Sequence, residues 1–145
     1  GKPPRVGKAT PPHQDAFYWM IDPPKALTIW MAIDEADEEN GCVRYVPGSH
    51  RLGMREHQLS QVLGFSQYIA DFRDEEKAES VPACVAPGDV IMHHGMTIHY
   101  ADSNPTDRRR RAMGIVYYSE AAQVDQRLKA NRVDAKAMWK ATDRI

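Results

Sequence analysis

Short apolar runs separated by turn-forming residues are the feature that most constrains the fold of this chain. The turn-forming pairs are PP at 11–12 and 23–24, NG at 40–41, and PG at 47–48 and 87–88. The runs between them are rich in β-branched and aromatic residues, as in ALTIWMAI at 26–33. This pattern predicts seven short strands, over residues 10–20, 26–33, 42–46, 81–85, 89–93, 97–100 and 110–118. Short strands with turns between them are typical of an all-β sandwich or barrel.

Two segments depart from this pattern. Residues 51–77 are polar and charged, and we expect them to form a long insertion with some helix that could act as a lid. Residues 120–145 contain helix formers and few turn residues, with Val124 and Leu128 spaced i, i+4, which predicts a C-terminal helical segment. The 145 residues are enough for one domain with a core, so we expect a single domain over residues 1–145.

Composition narrows the class of partner. The net charge is −1, so the chain as a whole lacks the basic surface that nucleic acid requires. No apolar stretch approaches membrane-spanning length, and no secretory signal pattern opens the chain. Cys42 and Cys84 each lie in an apolar run, which predicts buried free thiols and fits a cytoplasmic location. We therefore expect a small-molecule substrate, with neither nucleic acid nor a membrane as partner.

The stretch PPHQDAFYW contains a pattern that could bind a metal. In a strand, residues i and i+2 point to the same face, so His13 and Asp15 would project together with Gln14 opposite. Two ligands do not hold a catalytic metal, and an exposed polar strand face explains the same pattern. The assignment therefore depends on a third ligand.

Five histidines elsewhere are candidates for that ligand. His57 lies in the polar insertion, where we expect it to be solvated, and His50 follows a predicted strand. His93 and His94 are adjacent, so at most one of them can face the site. His99 has an apolar neighbour on one side and an aromatic one on the other, so it needs a polar partner if it is buried. A metal would supply that partner, and so would a hydrogen bond in the core.

Two histidines and one carboxylate that leave open positions on the metal are the signature of non-haem Fe(II) oxygenases. If the co-substrate were 2-oxoglutarate, its far carboxylate would need a cation, and the planar guanidinium of arginine suits a carboxylate. The run RRRR at 108–111 begins a predicted strand, so only alternate members can face inward. The hypothesis needs one buried arginine, and a solvated turn explains the rest of the run.

Five blocks of sequence, in this order, resemble a known family. They are TPPHQDAFYW (10–19), ALTIWMAID (26–34), ENGCVRYVPGSH (39–50), PGDVIMHHGMTIHYADSN (87–104) and RRRRAMGIVYY (108–118). Together they are similar to the phytanoyl-CoA dioxygenase family of Fe(II)/2-oxoglutarate-dependent oxygenases. The resemblance implies a double-stranded β-helix, or jelly roll, in agreement with the strand pattern.

The resemblance also implies site residues and an activity. His13, Asp15 and His99 match the family's iron ligands. Arg110, eleven residues after His99, matches the arginine that binds 2-oxoglutarate, and Trp30 matches a residue that lines the co-substrate pocket. The implied reaction uses O₂ and Fe(II), converts 2-oxoglutarate to succinate and hydroxylates an unactivated C–H of a small organic substrate. Related halogenases have a small residue in place of the carboxylate, so Asp15 favours hydroxylation.

The sequence departs from the family in two places. Many members have a serine two residues after the last histidine ligand, where this chain has Ala101. Members also have a long section before the His-x-Asp motif, whereas twelve residues precede His13 here, so we expect a domain that is incomplete at its N-terminus. Two alternatives therefore stay open. One is a truncated or degenerate metal-binding domain without turnover, and the other is a non-oxygenase metalloenzyme on the same barrel, which would have no use for Arg110.

Overall fold

The computed structural model describes residues 1–62 and 65–126, which form eleven strands, two short α-helices and one 3₁₀ turn. In chain order the elements are β1 (Thr10–His13), α1 (Asp15–Trp19), β2 (Ile21–Asp22), β3 (Ala26–Ala32), β4 (Val43–Tyr45), the 3₁₀ turn (Ser49–Arg51), β5 (His57–Val62), β6 (Phe65–Ile69), α2 (Asp74–Glu79), β7 (Val81–Ala83), β8 (Val90–His94), β9 (His99–Ala101), β10 (Ala112–Tyr118) and β11 (Gln123–Val124). The predicted mostly-β fold is confirmed. None of the helices in these two ranges is long and apolar enough to span a bilayer.

Two antiparallel sheets position the site. One has the strand order β1-β9-β4-β7 and the other has the order β10-β3-β8. In the first sheet His13 pairs directly with His99, and Tyr45 pairs with His99 from the other side. In the second sheet Thr28 pairs with His93. Because side chains alternate along a strand, these registers decide which residues face the space between the sheets.

Asn104 ties the first residues of the chain to the segment that precedes β10. Its side-chain amide donates to the carbonyls of Lys2 and Pro3 at 3.3 Å each, and to the carbonyl of Arg108 at 2.7 Å. Lys2 and Arg110 also exchange backbone hydrogen bonds of 2.8 and 3.1 Å. Asn104 is fully buried, so these bonds are protected from water and fix residues 2–10 beside the segment that carries Arg110.

The face of the second sheet that points away from the site is apolar and exposed. Val90, Met92, Ile115 and Tyr117 are between 41% and 64% exposed there. Alternation puts Trp30 and His93 on the opposite face, toward the first sheet. Within the described residues, the sheet therefore exposes these four apolar side chains on one side and directs Trp30 and His93 toward the site on the other.

The strand predicted over residues 10–20 is wrong after residue 13. β1 ends at His13, and α1 begins at Asp15. The buried side-chain amide of Gln14 anchors this corner by donating to the carbonyls of Gly53 (3.0 Å) and Met96 (2.8 Å). These partners are 39 and 82 residues away, so a short-range strand pattern could not register them.

Two further expectations are corrected in part. The segment 51–77 is mainly the hairpin of β5 and β6, with helix only from Asp74 onward. The helix predicted over 120–145 does not occupy residues 123–124, which form β11 and pair with β2, and residues 127–145 lie outside the described residues. Whether 1–145 is a single domain, and whether 51–77 acts as a lid, stay predictions.

The two cysteines differ in environment. Cys42 is buried, as predicted, whereas Cys84 is exposed, so the prediction for Cys84 is wrong. Cys84 directly follows β7, which is an edge strand of its sheet in the part of the chain that the structure describes. Burial and the adjacent Cys84 thiol raise the pKa of Cys42 to about 12. Both thiols are free.

Gly95 allows the helix α1 to approach β8. A Cβ atom built on Gly95 would lie 2.3 Å from a ring carbon of Trp19, closer than real contacts allow. The ring of Trp19 also packs edge-on against the ring of Tyr118, with 5.5 Å between the ring centroids, so it cannot move aside freely. The backbone carbonyl of Gly95 also accepts a 2.9 Å hydrogen bond from Ala16, at the start of α1.

Replacing Gly95 with alanine is therefore expected to destabilise the fold by about 1–3 kcal/mol, the usual cost of overpacking. Gly114→Ala is the matched control, because no atom lies within 4 Å of the Cβ that it would add. Urea unfolding of both variants measures the difference. Equal midpoints for the two variants would contradict the close packing of Trp19 on Gly95.

Candidate metal centre

The structure brings His13, Asp15 and His99 together. Oδ1 of Asp15 lies 3.5 Å from Nε2 of His13 and 3.7 Å from Nε2 of His99. One potential ligand atom from each residue lies within 4.8 Å of the other two. Both histidines are buried, at 3% and 8% exposure, so an exposed polar strand face does not explain the His-x-Asp pattern.

Both histidine rings are oriented by the backbone. Nδ1 of His13 lies 2.8 Å from the carbonyl of Pro11, and Nδ1 of His99 lies 3.0 Å from the carbonyl of Thr97. A carbonyl only accepts hydrogen bonds, so Nδ1 carries the proton in each neutral ring. Each Nε2 is then left with a lone pair directed at Asp15, which is the state a metal ligand requires.

The ionisation states also suit a cation. Burial alone would raise the pKa of Asp15, but its interactions with the neighbouring rings of His13 and His93 outweigh that effect. With smaller contributions from His99 and Thr28, they hold the pKa of Asp15 far below its usual range. Burial, reinforced by the nearby His13, lowers the pKa of His99 to about 3. At neutral pH Asp15 is therefore a carboxylate and His99 a neutral imidazole.

The donor set fits a metal ion in both type and spacing. Two imidazole nitrogens and one carboxylate oxygen form the facial arrangement typical of non-haem iron. Donor atoms bound at about 2.1 Å in adjacent positions lie about 3 Å apart. The observed separations of 3.5 and 3.7 Å need only small side-chain rotations to reach that spacing.

His93 enters the site beside Asp15, and the sequence did not predict this. Its Nε2 lies 3.2 Å from Oδ2 of Asp15, and the hydroxyl of Thr28 donates to the same oxygen at 2.6 Å. The expectation that at most one of His93 and His94 faces the site is met, because His94 points the other way, 5.9 Å from the ring of His50. The sequence offered a signal in the adjacent pair His93 and His94. Only the register of β8 with β3 shows that His93 is the one that faces the site.

Arg110 is the buried member of the arginine run. It is 6% exposed, and its guanidinium lies 5.4 Å from the ring centre of Trp30. Its Nε atom is buried without a hydrogen-bond partner, and within residues 1–62 and 65–126 it makes no ion pair. Burial lowers the pKa of Arg110.

The neighbouring arginines behave as the sequence suggested. Arg108 pairs with Glu35, Asp37 and Glu39, and Arg111 pairs with Asp34, all near the surface. Arg109 is exposed.

Lys2 supplies a second cation that the sequence did not predict. It is 5% exposed, and its ammonium donates to the carbonyl of Lys8 and, at 3.4 Å, to the hydroxyl of Thr10. Burial, with repulsion from Arg110, lowers the pKa of Lys2 to about 8. Ala101, where the family resemblance leads one to expect a serine, lines the cavity that Lys2 and Arg110 also border and offers only a methyl group there.

These groups border one cavity of about 580 Å³ between the two sheets. Its wall includes His13, Asp15, Trp30, Tyr45 and Arg110, and residues 1–3 and 6–10 close one side. A triad with metal-ligand geometry therefore shares one cavity with a buried cation that has no anionic partner among residues 1–62 and 65–126. Its volume is within the range of small-molecule sites.

Comparison with known proteins decides the family. The family model for phytanoyl-CoA dioxygenase matches residues 1–112. The chain belongs to the phytanoyl-CoA dioxygenase family. A curated relative, the phytanoyl-CoA dioxygenase domain-containing protein 1 homolog of Caenorhabditis elegans, is 34% identical over 124 residues, which cover 79% of this chain and 42% of the relative.

Solved structures of similar proteins carry the expected ligands. EvdO2 from Micromonospora carbonacea var. aurantiaca, complexed with 2-oxoglutarate, aligns with a TM-score of 0.72 and 35% identity over 86% of this chain and 50% of EvdO2. The epimerase SnoN, in complex with Fe³⁺, α-ketoglutarate and nogalamycin RO, aligns with a TM-score of 0.65 and 32% identity over 81% of this chain and 44% of SnoN.

These likenesses confirm the predicted jelly-roll class and, at the level of the family, the predicted iron and 2-oxoglutarate. The chain spans half the length or less of the proteins it matches.

Phe17, Tyr18 and Arg44 lie within the sequence blocks that resemble the family but outside the centre of this phytanoyl-CoA dioxygenase family site. Tyr18 donates to the carbonyl of Gln67 at 2.6 Å, and Phe17 stacks on His57 at 4.1 Å. Neither borders the cavity, so the contacts of these two aromatic side chains are structural. Arg44 pairs with Glu38 on the surface side of its strand.

His57 was expected to be solvated, which is wrong. It is 9% exposed, its Nδ1 donates to the carbonyl of Arg55 (2.9 Å), and its Nε2 accepts from the backbone of Gln14 (3.2 Å). Burial is the main cause that lowers the pKa of His57 to about 4. The sequence around His57 is polar and gives no sign that His57 is buried, because the groups that bury it come from the distant His-x-Asp corner.

His99→Ala is expected to lower the affinity for Fe(II) by more than about 100-fold, since the loss of outer-sphere partners alone costs 10–100-fold. His94→Ala is the control and should bind Fe(II) as the unmodified chain does, because His94 points away from the triad. Anaerobic calorimetric titration measures both affinities. The reverse ranking would reassign the distal ligand to His94.

The stability of the metal-free chain should fall with acid partly through His57. Between its ordinary pKa of 6.5 and its folded value of about 4, the unfolded chain binds a proton that the folded chain does not. Stability contributed by neutral His57 is thus complete above 6.5 and is lost as the pH falls toward 4. In urea unfolding at about pH 7 and about pH 5, His57→Gln should lose less stability than the unmodified chain. Equal losses would contradict the buried neutral state of His57.

Proposed function

We propose that this chain forms the iron and 2-oxoglutarate site of an oxygenase that hydroxylates an unactivated C–H of a small organic substrate. The observation that carries the proposal is Arg110. It is a buried cation without a carboxylate partner in the described part of the chain, and it borders the same cavity as the triad. A buried charge without a partner is costly, so an anionic ligand offsets that cost.

The residues have distinct roles in this proposal. His13, Asp15 and His99 would hold Fe(II), with Nδ1 of each histidine fixed by a backbone carbonyl. The guanidinium of Arg110 would receive the far carboxylate of 2-oxoglutarate through parallel N–H bonds. Trp30 supports the guanidinium from one side at 5.4 Å, which restricts its orientation.

When bound, iron, 2-oxoglutarate and O₂ supply the oxidising chemistry, in which 2-oxoglutarate is converted to succinate and CO₂. The protein's own residues bind, orient and exclude water. Lys2 adds positive charge on the Arg110 side of the cavity, which supports an anion there in the absence of a serine at Ala101. Asp15 occupies a ligand position that a halogenase would leave to chloride, and this supports hydroxylation.

The partner is inferred to be a small molecule, because the cavity of about 580 Å³ suits one. The whole-chain charge of −1 gives no support to nucleic-acid binding. A cytoplasmic location stays a prediction that rests on the two free cysteines.

Anaerobic titration with Fe(II) and then 2-oxoglutarate tests the proposal. We expect the weak visible charge-transfer band of an iron-bound keto acid, followed by succinate release when O₂ is added. Metal binding without the band would favour a non-oxygenase metalloenzyme. A band without succinate would favour a metal-binding domain without turnover. Product analysis in the presence of substrate then separates hydroxylation from other C–H chemistry, such as the epimerisation that the name of SnoN indicates.

Arg110→Ala is expected to weaken 2-oxoglutarate binding by about 100-fold, because two charge-assisted hydrogen bonds are lost. Fe(II) affinity should be nearly unchanged, since Arg110 does not contact the triad. Arg109→Ala is the matched control, because its side chain is exposed and should affect neither ligand. Equal losses of Fe(II) and 2-oxoglutarate affinity in Arg110→Ala would mean that Arg110 is structural.

A further inference from the structure

The two oxygens of the Asp15 carboxylate have different neighbours. Oδ2 accepts a hydrogen bond from Thr28 at 2.6 Å and lies 3.2 Å from Nε2 of His93. Oδ1 faces Nε2 of His13 and Nε2 of His99, at 3.5 and 3.7 Å. One oxygen is thus held by the protein, and the other lies among the potential metal ligands.

The direction of the His93 hydrogen bond follows from its carboxylate partner. A carboxylate oxygen only accepts, so in the 3.2 Å contact Nε2 of His93 carries the proton and donates to Oδ2 of Asp15. The hydroxyl of Tyr45 lies 3.0 Å from the other ring nitrogen, Nδ1, where it is placed to donate and to hold the ring from its opposite side.

The backbone fixes this chain of hydrogen bonds from both sheets. His93 and Thr28 are register partners on β8 and β3, so they approach Asp15 from the same side. Tyr45 comes from β4 in the opposite sheet, where it is the register partner of His99. His93 is 8% exposed, so water does not compete freely for its two nitrogens. The contacts form a bridge across the cavity rather than a local interaction on one strand.

The number of open positions on the metal depends on how Asp15 binds. With one oxygen from Asp15 and one nitrogen each from His13 and His99, a six-coordinate metal keeps three positions open. A keto acid that chelates through two atoms leaves one of them for O₂. If Asp15 bound through both oxygens, one of the three positions would be lost.

We propose that His93 is a positioning residue that, together with Thr28, confines Asp15 to the metal through Oδ1 alone. This inference rests on the proposed function, because it needs a metal at the triad. His93 itself faces Oδ2 and is not part of the group of ligand atoms formed by His13, Asp15 and His99. It acts through the carboxylate and leaves the metal's other positions to the ligands that react.

Co(II) is the probe, because its visible absorption reports coordination number and geometry without turnover. His93→Leu removes the donor at similar volume, and His93→Gln keeps an N–H donor. We expect His93→Leu to weaken Co(II) binding by about 10–100-fold, the usual cost of losing an outer-sphere partner, and to change the Co(II) spectrum. His93→Gln should recover most of both. His94→Leu, the control on the opposite face of β8, should change neither.

Thr28→Val removes the other donor to Oδ2, and it should shift the Co(II) spectrum in the same direction as His93→Leu. It also tests the inference if His93→Leu fails to fold, which circular dichroism and thermal melting reveal. A folded His93→Leu or Thr28→Val with unchanged affinity and spectrum would overturn the inference. So would Asp15→Ala with undiminished Co(II) affinity, because His93 would then be a ligand itself. If the unmodified chain binds no Co(II), the proposed function fails together with the inference. If the unmodified chain binds Co(II) and the folded variants behave as it does, only the inference about His93 fails.

Discussion

The antiparallel pairing of β1 with β9 is the constraint on which the rest of the site depends. It places His13 directly opposite His99 and brings their rings to 4.2 Å between centroids. The bonds from Nδ1 to backbone carbonyls then direct each Nε2 toward Asp15. Because both the pairing and the ring orientation come from backbone hydrogen bonds, the triad is organised by the sheet itself. Asp15 needs only the turn into α1 to join it.

Charge in the cavity is arranged in two zones. Asp15 is a carboxylate beside the neutral imidazole of His99, so this zone favours a cation. Arg110 and Lys2 lie in the other zone, and burial lowers the pKa of each of them. Like charges close together in a low-dielectric region repel strongly, so an anion in this zone gains from both cations. A molecule with a chelating end and a carboxylate at its far end matches both zones, which is the shape of 2-oxoglutarate.

The sequence predicted the parts of this site that depend on local spacing. The His-x-Asp spacing predicted that His13 and Asp15 project together, which they do, although Asp15 lies at the start of α1 and not on the strand. Alternation along the arginine run allowed for a single buried arginine. The ordered resemblance to a family then assigned His99 and Arg110. His93, Lys2 and the burial of His57 were missed because each depends on a partner far away in sequence. His93 and Asp15, for example, are 78 residues apart. The end of β1 at His13 was missed for the same reason, since distant carbonyls hold the buried amide of Gln14.

The hydrogen bonds of Asn104 have a consequence for the order of folding. They join Lys2 to a residue 102 positions later, and the cavity wall is complete only when residues 2–10 lie beside Arg110. Contacts between residues so far apart are entropically costly to form early. Local hairpins such as β5–β6 can form while the chain is still incomplete, but the cavity cannot. The wall that carries the two cations therefore closes only after residues 104–110 are available to hold residues 2–10, which places its formation late in folding.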